Sequence, residues 1–126
     1  MNEVKFTSEF KKQYKKVSRG AQWGRVFKRP LPKEIDQENR APWAYIKDCF
    51  INNEPIDAYF YPHKIETDKH AAKVLKNVES QTGLKNLSVW WLHFDGHNGN
   101  HLLEYVITPS TVYLSRIGTH NDLMKN

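Results

Sequence analysis

Apolar and polar residues alternate over Val4-Lys5-Phe6, which predicts a short first strand. Thr7 or Ser8 can then cap a helix in which Phe10, Tyr14 and Val17 fall at i, i+4 and i+7 and make one apolar stripe. Lys11, Lys12, Lys15 and Lys16 lie mostly off that stripe, and Gly20 is a suitable stop. Gln22–Lys28 fits a further turn or two of helix, after which Pro30 and Pro32 break any regular element. Lys33–Arg40 is polar and reads as a surface excursion. Pro42 suits the first turn of a second helix with Trp43, Ile46, Cys49 and Phe50 on its apolar side. Asn52-Asn53 and Pro55 end it, and a loop runs through Tyr59-Phe60-Tyr61-Pro62-His63. A third helix begins at Thr67 or Asp68, buries Ala71, Val74, Leu75 and Val78, and stops at Gly83. Leu87–Phe94, Leu102–Ile107 and Thr111–Ile117 are strand-like, and the turn Thr108-Pro109-Ser110 makes a hairpin of the last two. A strand, then helices, then consecutive strands predict an α+β fold, with helices packed on one face of a mainly antiparallel sheet.

Composition is consistent with one domain over residues 1–126. A chain of this size buries roughly two-thirds of its unfolded surface, and four Trp, six Tyr and six Phe can build the core. The formal charge is +5 and is uneven. Met1–Arg40 holds eleven Lys and Arg against five Asp and Glu, whereas Ala41–Asn126 holds eight against nine. A basic face of this kind points to a polyanionic partner or, more plainly, to a solvated helix. Cys49 is the only cysteine, so no disulfide forms within the chain, as expected in a reducing cytosol. No apolar leader and no apolar run near the ~20 residues of a membrane span is found, so a cytoplasmic location without membrane contact is expected.

Several segments resemble the RelE superfamily of bacterial toxins, its YafQ-like branch in particular. Phe6-Thr7-Ser8-Glu9-Phe10-Lys11-Lys12-Gln13-Tyr14-Lys15-Lys16 resembles the first strand and lysine-rich helix, and Phe50-Ile51-Asn52-Asn53-Glu54-Pro55 the end of the second helix. The most specific stretch is Arg116-Ile117-Gly118-Thr119-His120-Asn121-Asp122-Leu123-Met124, which is similar to the family's terminal Arg-x-Gly-Thr-His-x-x-Leu-Phe. The resemblance implies a RelE-like domain, cleavage of mRNA on the ribosome with no metal or other cofactor, inhibition of translation, and a cognate antitoxin partner. Residues 28–41 and 64–86 look longer than in compact members, the second stretch being a helical insertion.

Metal-free RNA cleavage needs a base for the 2′-OH, an acid for the departing 5′-oxygen and positive charge for the transition state. Histidine suits both proton transfers, and arginine binds phosphate bidentately. His120 matches the motif's histidine and is the first catalytic candidate; its plainer role is to cap a turn. Arg116 matches the motif's arginine and is expected to hold the scissile phosphate. His93 ends the strand Trp90-Trp91-Leu92-His93 and by alternation shares a face with Trp91; the alternative is a hydrogen-bonded histidine at the sheet edge. His63 matches a histidine that the family places after its second helix, or is an ordinary loop residue. RNA contacts are expected from Lys11, Lys12, Lys15, Lys16, Asn100 and Met124.

The chain departs from the family where an acidic residue and a Trp usually follow the strand histidine. Here Asn100 and His101 fall at that pair, and Asn cannot act as a base near neutrality. His101 or Asp95 takes over that task, or activity is weakened. Met124 stands where the family has an aromatic. His93, His97 and His101 are spaced by four like ligands on a helix, but Gly96 and Gly99 argue against a helix and so against zinc. The loop also lacks the full acidic pattern of a calcium site. Competing functions are a non-catalytic module binding RNA, a ribosome or a protein on the same scaffold, and a ParE-like gyrase poison. The histidines favour RNA cleavage over gyrase poisoning, which needs no acid–base set.

Overall fold

The computed structural model describes residues 2–124. Strand β1 (Glu3–Phe6) leads into α1 (Ser8–Val17), whose N-cap Thr7 accepts from the backbone N–H of Phe10 at 3.1 Å. A 3-10 turn, Ala21–Trp23, runs straight into the short α2 (Gly24–Phe27), and α3 (Pro42–Asn52) opens with its proline in the first turn. Strand β2 is only His63–Lys64. Helix α4 (Lys69–Thr82) starts at Asp68, which accepts from Ala71 N–H, and ends at left-handed Gly83. Then come β3 (Val89–His93), β4 (Leu102–Ile107), β5 (Thr111–Gly118) and a final short helix, α5 (His120–Met124).

The strands form one sheet in the order β1-β5-β4-β3-β2. β1 runs parallel to β5 and every other pair is antiparallel. The fold is α+β, as the order of elements predicts. On one face Phe10, Val17, Trp23, Val26, Ile46 and Phe50 from the first helices pack on Leu92, Leu103, Tyr105, Val112, Leu114 and Ile117. Trp43 is the hub of its aromatic part, with ring centroids 5.3 Å from Tyr14, 5.8 Å from Phe27, 6.1 Å from Phe10 and 6.3 Å from Phe94. β1 covers β5 only as far as Leu114. Beyond it α1 closes the open edge with side chains: Thr7 donates to the Ser115 carbonyl at 3.2 Å and Gln13 accepts from Ile117 N–H at 2.9 Å.

Helix α4 differs from the one-face expectation. Its Ala71, Val74 and Val78 pack on Val89, Val106 and Tyr113, which point to the opposite face. An amphipathic stripe requires that a helix be buried on something but does not choose the side of the sheet. The polar stretch 33–40 is also more than an excursion. Asp36 is buried, and the Arg40 guanidinium binds it at 3.0 Å while reaching Asp48 of α3 at 3.0 Å. That partner holds the Asp36 carboxyl below the usual carboxylate range.

A β-bulge decides where the residues of β5 point. Glu104 pairs with Arg116 but Tyr105 pairs with Leu114, so Ser115 has no partner on β4. Strict alternation would put Arg116 on the same face as Val112 and Leu114. The extra residue reverses the parity: Ile117 joins the helix-covered core and Arg116 turns to the opposite face. There Arg116 and Glu104 form a buried pair, Nε–Oε1 3.1 Å and Nη2–Oε2 2.7 Å. Glu104 also accepts from Trp91 Nε1 at 2.9 Å and from Ser115 Oγ at 2.7 Å.

Removing one partner of such a pair leaves the other charge buried. Glu104→Ala is therefore expected to lower stability by about 3–5 kcal/mol, measured by urea denaturation. A loss below about 1 kcal/mol, the level of an exposed pair, would contradict this.

Candidate active site

The register His93↔Leu102↔Gly118 forms one row across the sheet, and the chain just beyond it carries Asn100 and His120. His63 on β2 pairs with Trp91, which makes His93 its diagonal neighbour on the same face. This end of the sheet opens into a cleft of about 520 Å³ lined by Tyr61, His63, His93, His97, Asn100 and His120, together with Asn98 and Gly99. Ring centroids are 5.5 Å apart for His93 and His120 and 5.7 Å for His93 and His63.

Each of these histidines is held by Nδ1 against a carbonyl oxygen. His63 meets the Tyr61 carbonyl at 2.8 Å, His93 the Gly99 carbonyl at 3.0 Å, and His120 the Asn100 side-chain oxygen at 3.0 Å. A carbonyl oxygen only accepts, so Nδ1 carries the proton in all of them, and Nε2 of the neutral ring is left with its lone pair. Asn100 Oδ1 also accepts from the backbone N–H of His120 at 2.8 Å, fixing the ring and its main chain together.

The backbone supports of these rings are built locally. Thr119 and Asp122 cap α5 reciprocally, Thr119 N–H to Asp122 at 3.0 Å and Asp122 N–H to Thr119 Oγ1 at 3.3 Å. Five residues cannot hold a helix unaided. Leu123 is fully buried, and Arg116 Nη1 donates to its carbonyl at 2.8 Å. The loop that carries the His93 acceptor needs glycine: a Cβ on Gly99 would lie 1.9 Å from Asp95 Oδ1. Tyr61 sits at φ +48°, a left-handed conformation unusual for a bulky residue, and this aims its carbonyl at His63. Tyr61 is 43% exposed, and its ring centroid stands 4.1 Å from that of His97 and 4.5 Å from that of His63.

The cleft thus gathers His120, His93, His63 and Asn100. Arg116 is a correction. It is 2% exposed, its donors serve Glu104 and Leu123, and it does not line the cleft. The bulge turned it inward, so it positions α5 rather than offering a free fork to phosphate. His101 is also turned away from the cleft. Its Nδ1 lies 2.7 Å from Asp95 and its Nε2 3.0 Å from the Gln22 carbonyl, with its ring edge-on to Trp23. His93, His97 and His101 therefore do not converge, and among the described residues no group of three or more His, Cys, Asp or Glu is arranged to hold a metal. Lys11, Lys12, Lys15 and Lys16 are exposed on α1 and do not line the cleft. Met124 is 67% exposed at the end of α5 and does not line it either. Tyr61 and His97 were missed as site residues. The only sequence signal for them is their closeness to His63 and to the glycines of the 95–100 loop.

Burial holds His93 below the ordinary histidine value of 6.5; the Gly99 carbonyl opposes this and the neighbouring His120 and His63 add to it. Between the lowered folded value and 6.5 the unfolded chain binds more protons than the folded one. Stability is therefore expected to fall as pH drops through that window and to be flat, in this contribution, above it. Urea titrations over that range should show the dependence in the unaltered chain and its loss in His93→Gln. Parallel pH profiles in the two proteins would contradict it.

No family model matches the sequence, and no curated protein matches it. Solved structures do. A mutant of YafQ from Escherichia coli superposes with a TM-score of 0.59 at 14% identity, covering 99% of this chain and 100% of that one. The Escherichia coli DinJ–YafQ toxin–antitoxin complex gives 0.58 at 15%, over 98% of each chain. A copper-bound mutant toxin from Helicobacter pylori gives 0.60 at 14%, over 98% of this chain and 100% of that one. The α+β architecture described above, a mostly antiparallel five-stranded sheet with its helices, is the fold these YafQ and Helicobacter pylori toxin structures share.

Proposed function

We propose that this chain is the toxin of a toxin–antitoxin pair and cleaves mRNA by metal-free acid–base catalysis at the histidine cleft. The observation that carries the reading is the common tether of His63, His93 and His120, each with Nδ1 tied to a carbonyl oxygen around one open cleft. A general base needs a bare ring nitrogen near neutral pH, and the buried His93 supplies one. In this mechanism His93 Nε2 takes the proton of a ribose 2′-OH. The 2′-oxygen bonds to the adjacent phosphorus, the bond from phosphorus to the 5′-oxygen breaks, and protonated His120 donates its Nε2 proton to that oxygen. The products are a 2′,3′-cyclic phosphate and a 5′-hydroxyl. The His120 imidazolium supplies positive charge beside the phosphate before it gives up its proton, a role for which Arg116 is not placed. Asn100 acts as a positioning residue, holding the His120 ring while taking no proton itself.

The solved DinJ–YafQ toxin–antitoxin complex supports a cognate antitoxin as partner. The ribosome as the place of cleavage and the resulting stop in translation belong to the same reading. So does a cytoplasmic site of action, consistent with the finding that no helix of the described residues is long and apolar enough to cross a membrane. A gyrase poison on this fold needs no oriented acid and base, so the cleft favours RNA.

The test is expression in bacteria with primer-extension mapping of mRNA ends. Growth should arrest with new mRNA ends appearing. His120→Ala and His93→Ala should each slow cleavage on the order of 10²–10⁴-fold with binding retained, and the double variant should lose less than the product of the two. Arrest with intact mRNA and broken DNA would point to gyrase. Full cleavage by His120→Ala would remove this histidine from the chemistry.

A further inference from the structure

Beyond the cleft the surface continues toward a cluster of cations that the resemblance does not single out. His97, Asn98, Gly99 and Asn100 line both the cleft and a neighbouring concavity of about 760 Å³, whose far wall is Gln22 and Arg25. Gln22 and Arg25 in turn line a third concavity of about 450 Å³ with Lys28 and Arg29. The shared residues make one continuous trough from the histidines to α2. Arg25, Lys28 and Arg29 are exposed. The nearby carboxylate, Asp95, is 3.8 Å from Arg25, only 11% exposed and already bonded to His101, so it offsets little of that charge at the surface. At the cleft end stands the exposed ring of Tyr61.

We infer that this trough is the track of single-stranded RNA, with a base stacked on Tyr61 beside the scissile phosphate and the neighbouring phosphates held by Arg25, Lys28 and Arg29. The proposal rests on the RNA reading above and names its binding surface. An open trough with an aromatic at one end and cations at the other matches how unpaired strands are held, since stacking accepts any base and cations follow the backbone. A duplex presents no free base face to Tyr61. The lysines of α1 lie off the trough, so the two basic patches separate experimentally.

The test measures the affinity of the unaltered chain and its variants for a fully 2′-O-methylated RNA strand, which has no 2′-OH to attack, across a range of salt. The combined variant Arg25→Gln, Lys28→Gln, Arg29→Gln should flatten the slope of log affinity against log salt by about 2, from about 0.7 per phosphate contact on a single strand. Tyr61→Ala should weaken binding on the order of tenfold with the slope unchanged, because stacking releases no counterions. Replacing Lys11, Lys12, Lys15 and Lys16 by Gln should change the slope less than the α2 variant does. An unchanged slope in the α2 variant, or a greater change in the lysine variant, overturns the track. Failure of the unaltered chain to bind the strand overturns it together with the RNA reading. If the unaltered chain cleaves ordinary RNA while the α2 variant binds as tightly as its parent, the track alone falls. Should that variant instead keep RNA affinity and lose a co-purifying protein, the surface is a protein-docking face and the track is again overturned. Salt-dependent binding carried by α2 without cleavage of mRNA, either free or on ribosomes, supports the track and removes the catalytic reading.

Discussion

Glu104 has no solvent access, so its charge must be balanced and its oxygens bonded within the fold. Arg116 supplies the balance with a two-pronged contact, and Trp91 and Ser115 fill the remaining acceptor sites. These donors come from β3 and β5, while Glu104 itself lies on β4. The pair therefore pins three strands on the face where the sheet carries its histidines. A buried ion pair is often no better for stability than a well-packed apolar set. Its value here is geometric: the third guanidinium nitrogen reaches the Leu123 carbonyl and ties the last helix to the sheet. His120 opens that helix. The distance from His120 to His93 thus depends on a bulge at Ser115 that turned Arg116 inward.

The same face also connects to the helix that lies across it. His70 of α4 hydrogen-bonds Glu9 of α1 through Nε2, and its Nδ1 lies 3.6 Å from Glu104. That nitrogen is buried without a hydrogen-bond partner. His70 thus ties α4 to α1 through Glu9 and stands beside the central carboxylate without bonding it. α4 is joined to the sheet by Ala71, Val74 and Val78.

Local patterns were legible where one residue's choice is enforced by its neighbours in sequence. The Phe10–Tyr14–Val17 stripe, the Thr7 cap, Pro42 in a first turn, left-handed Gly83 and the Thr108–Ser110 turn each appear as expected. His120 of the terminal motif lines the cleft, and His93 shares the sheet face of Trp91 as alternation predicts. What failed depends on relations between distant segments. The parity of Arg116 is set by pairing with Glu104, and a bulge leaves no mark in the hydrophobic pattern. β2 is too short to show a period, although its pairing is what brings His63 beside His93. His101 is in the right segment, but Asp95 and the Gln22 carbonyl from a different segment capture its ring.

The loop between β3 and β4 shows why histidine spacing alone misleads. His93, His97 and His101 recur every four residues, yet each has a different neighbourhood. His93 is still on the strand and is fixed by the Gly99 carbonyl; His97 is exposed against Tyr61; His101 is locked to Asp95. The separation follows from Asp95, which accepts from the backbone N–H groups of Asn100 and His101 and so closes the loop on itself. That closure is possible only because Gly99 has no side chain to collide with the carboxylate. It also delivers the two supports that the cleft uses, the Gly99 carbonyl for His93 and the Asn100 side chain for His120. One loop therefore sets the ring orientation of both proposed proton-transfer groups, while the ion pair beneath them sets their separation.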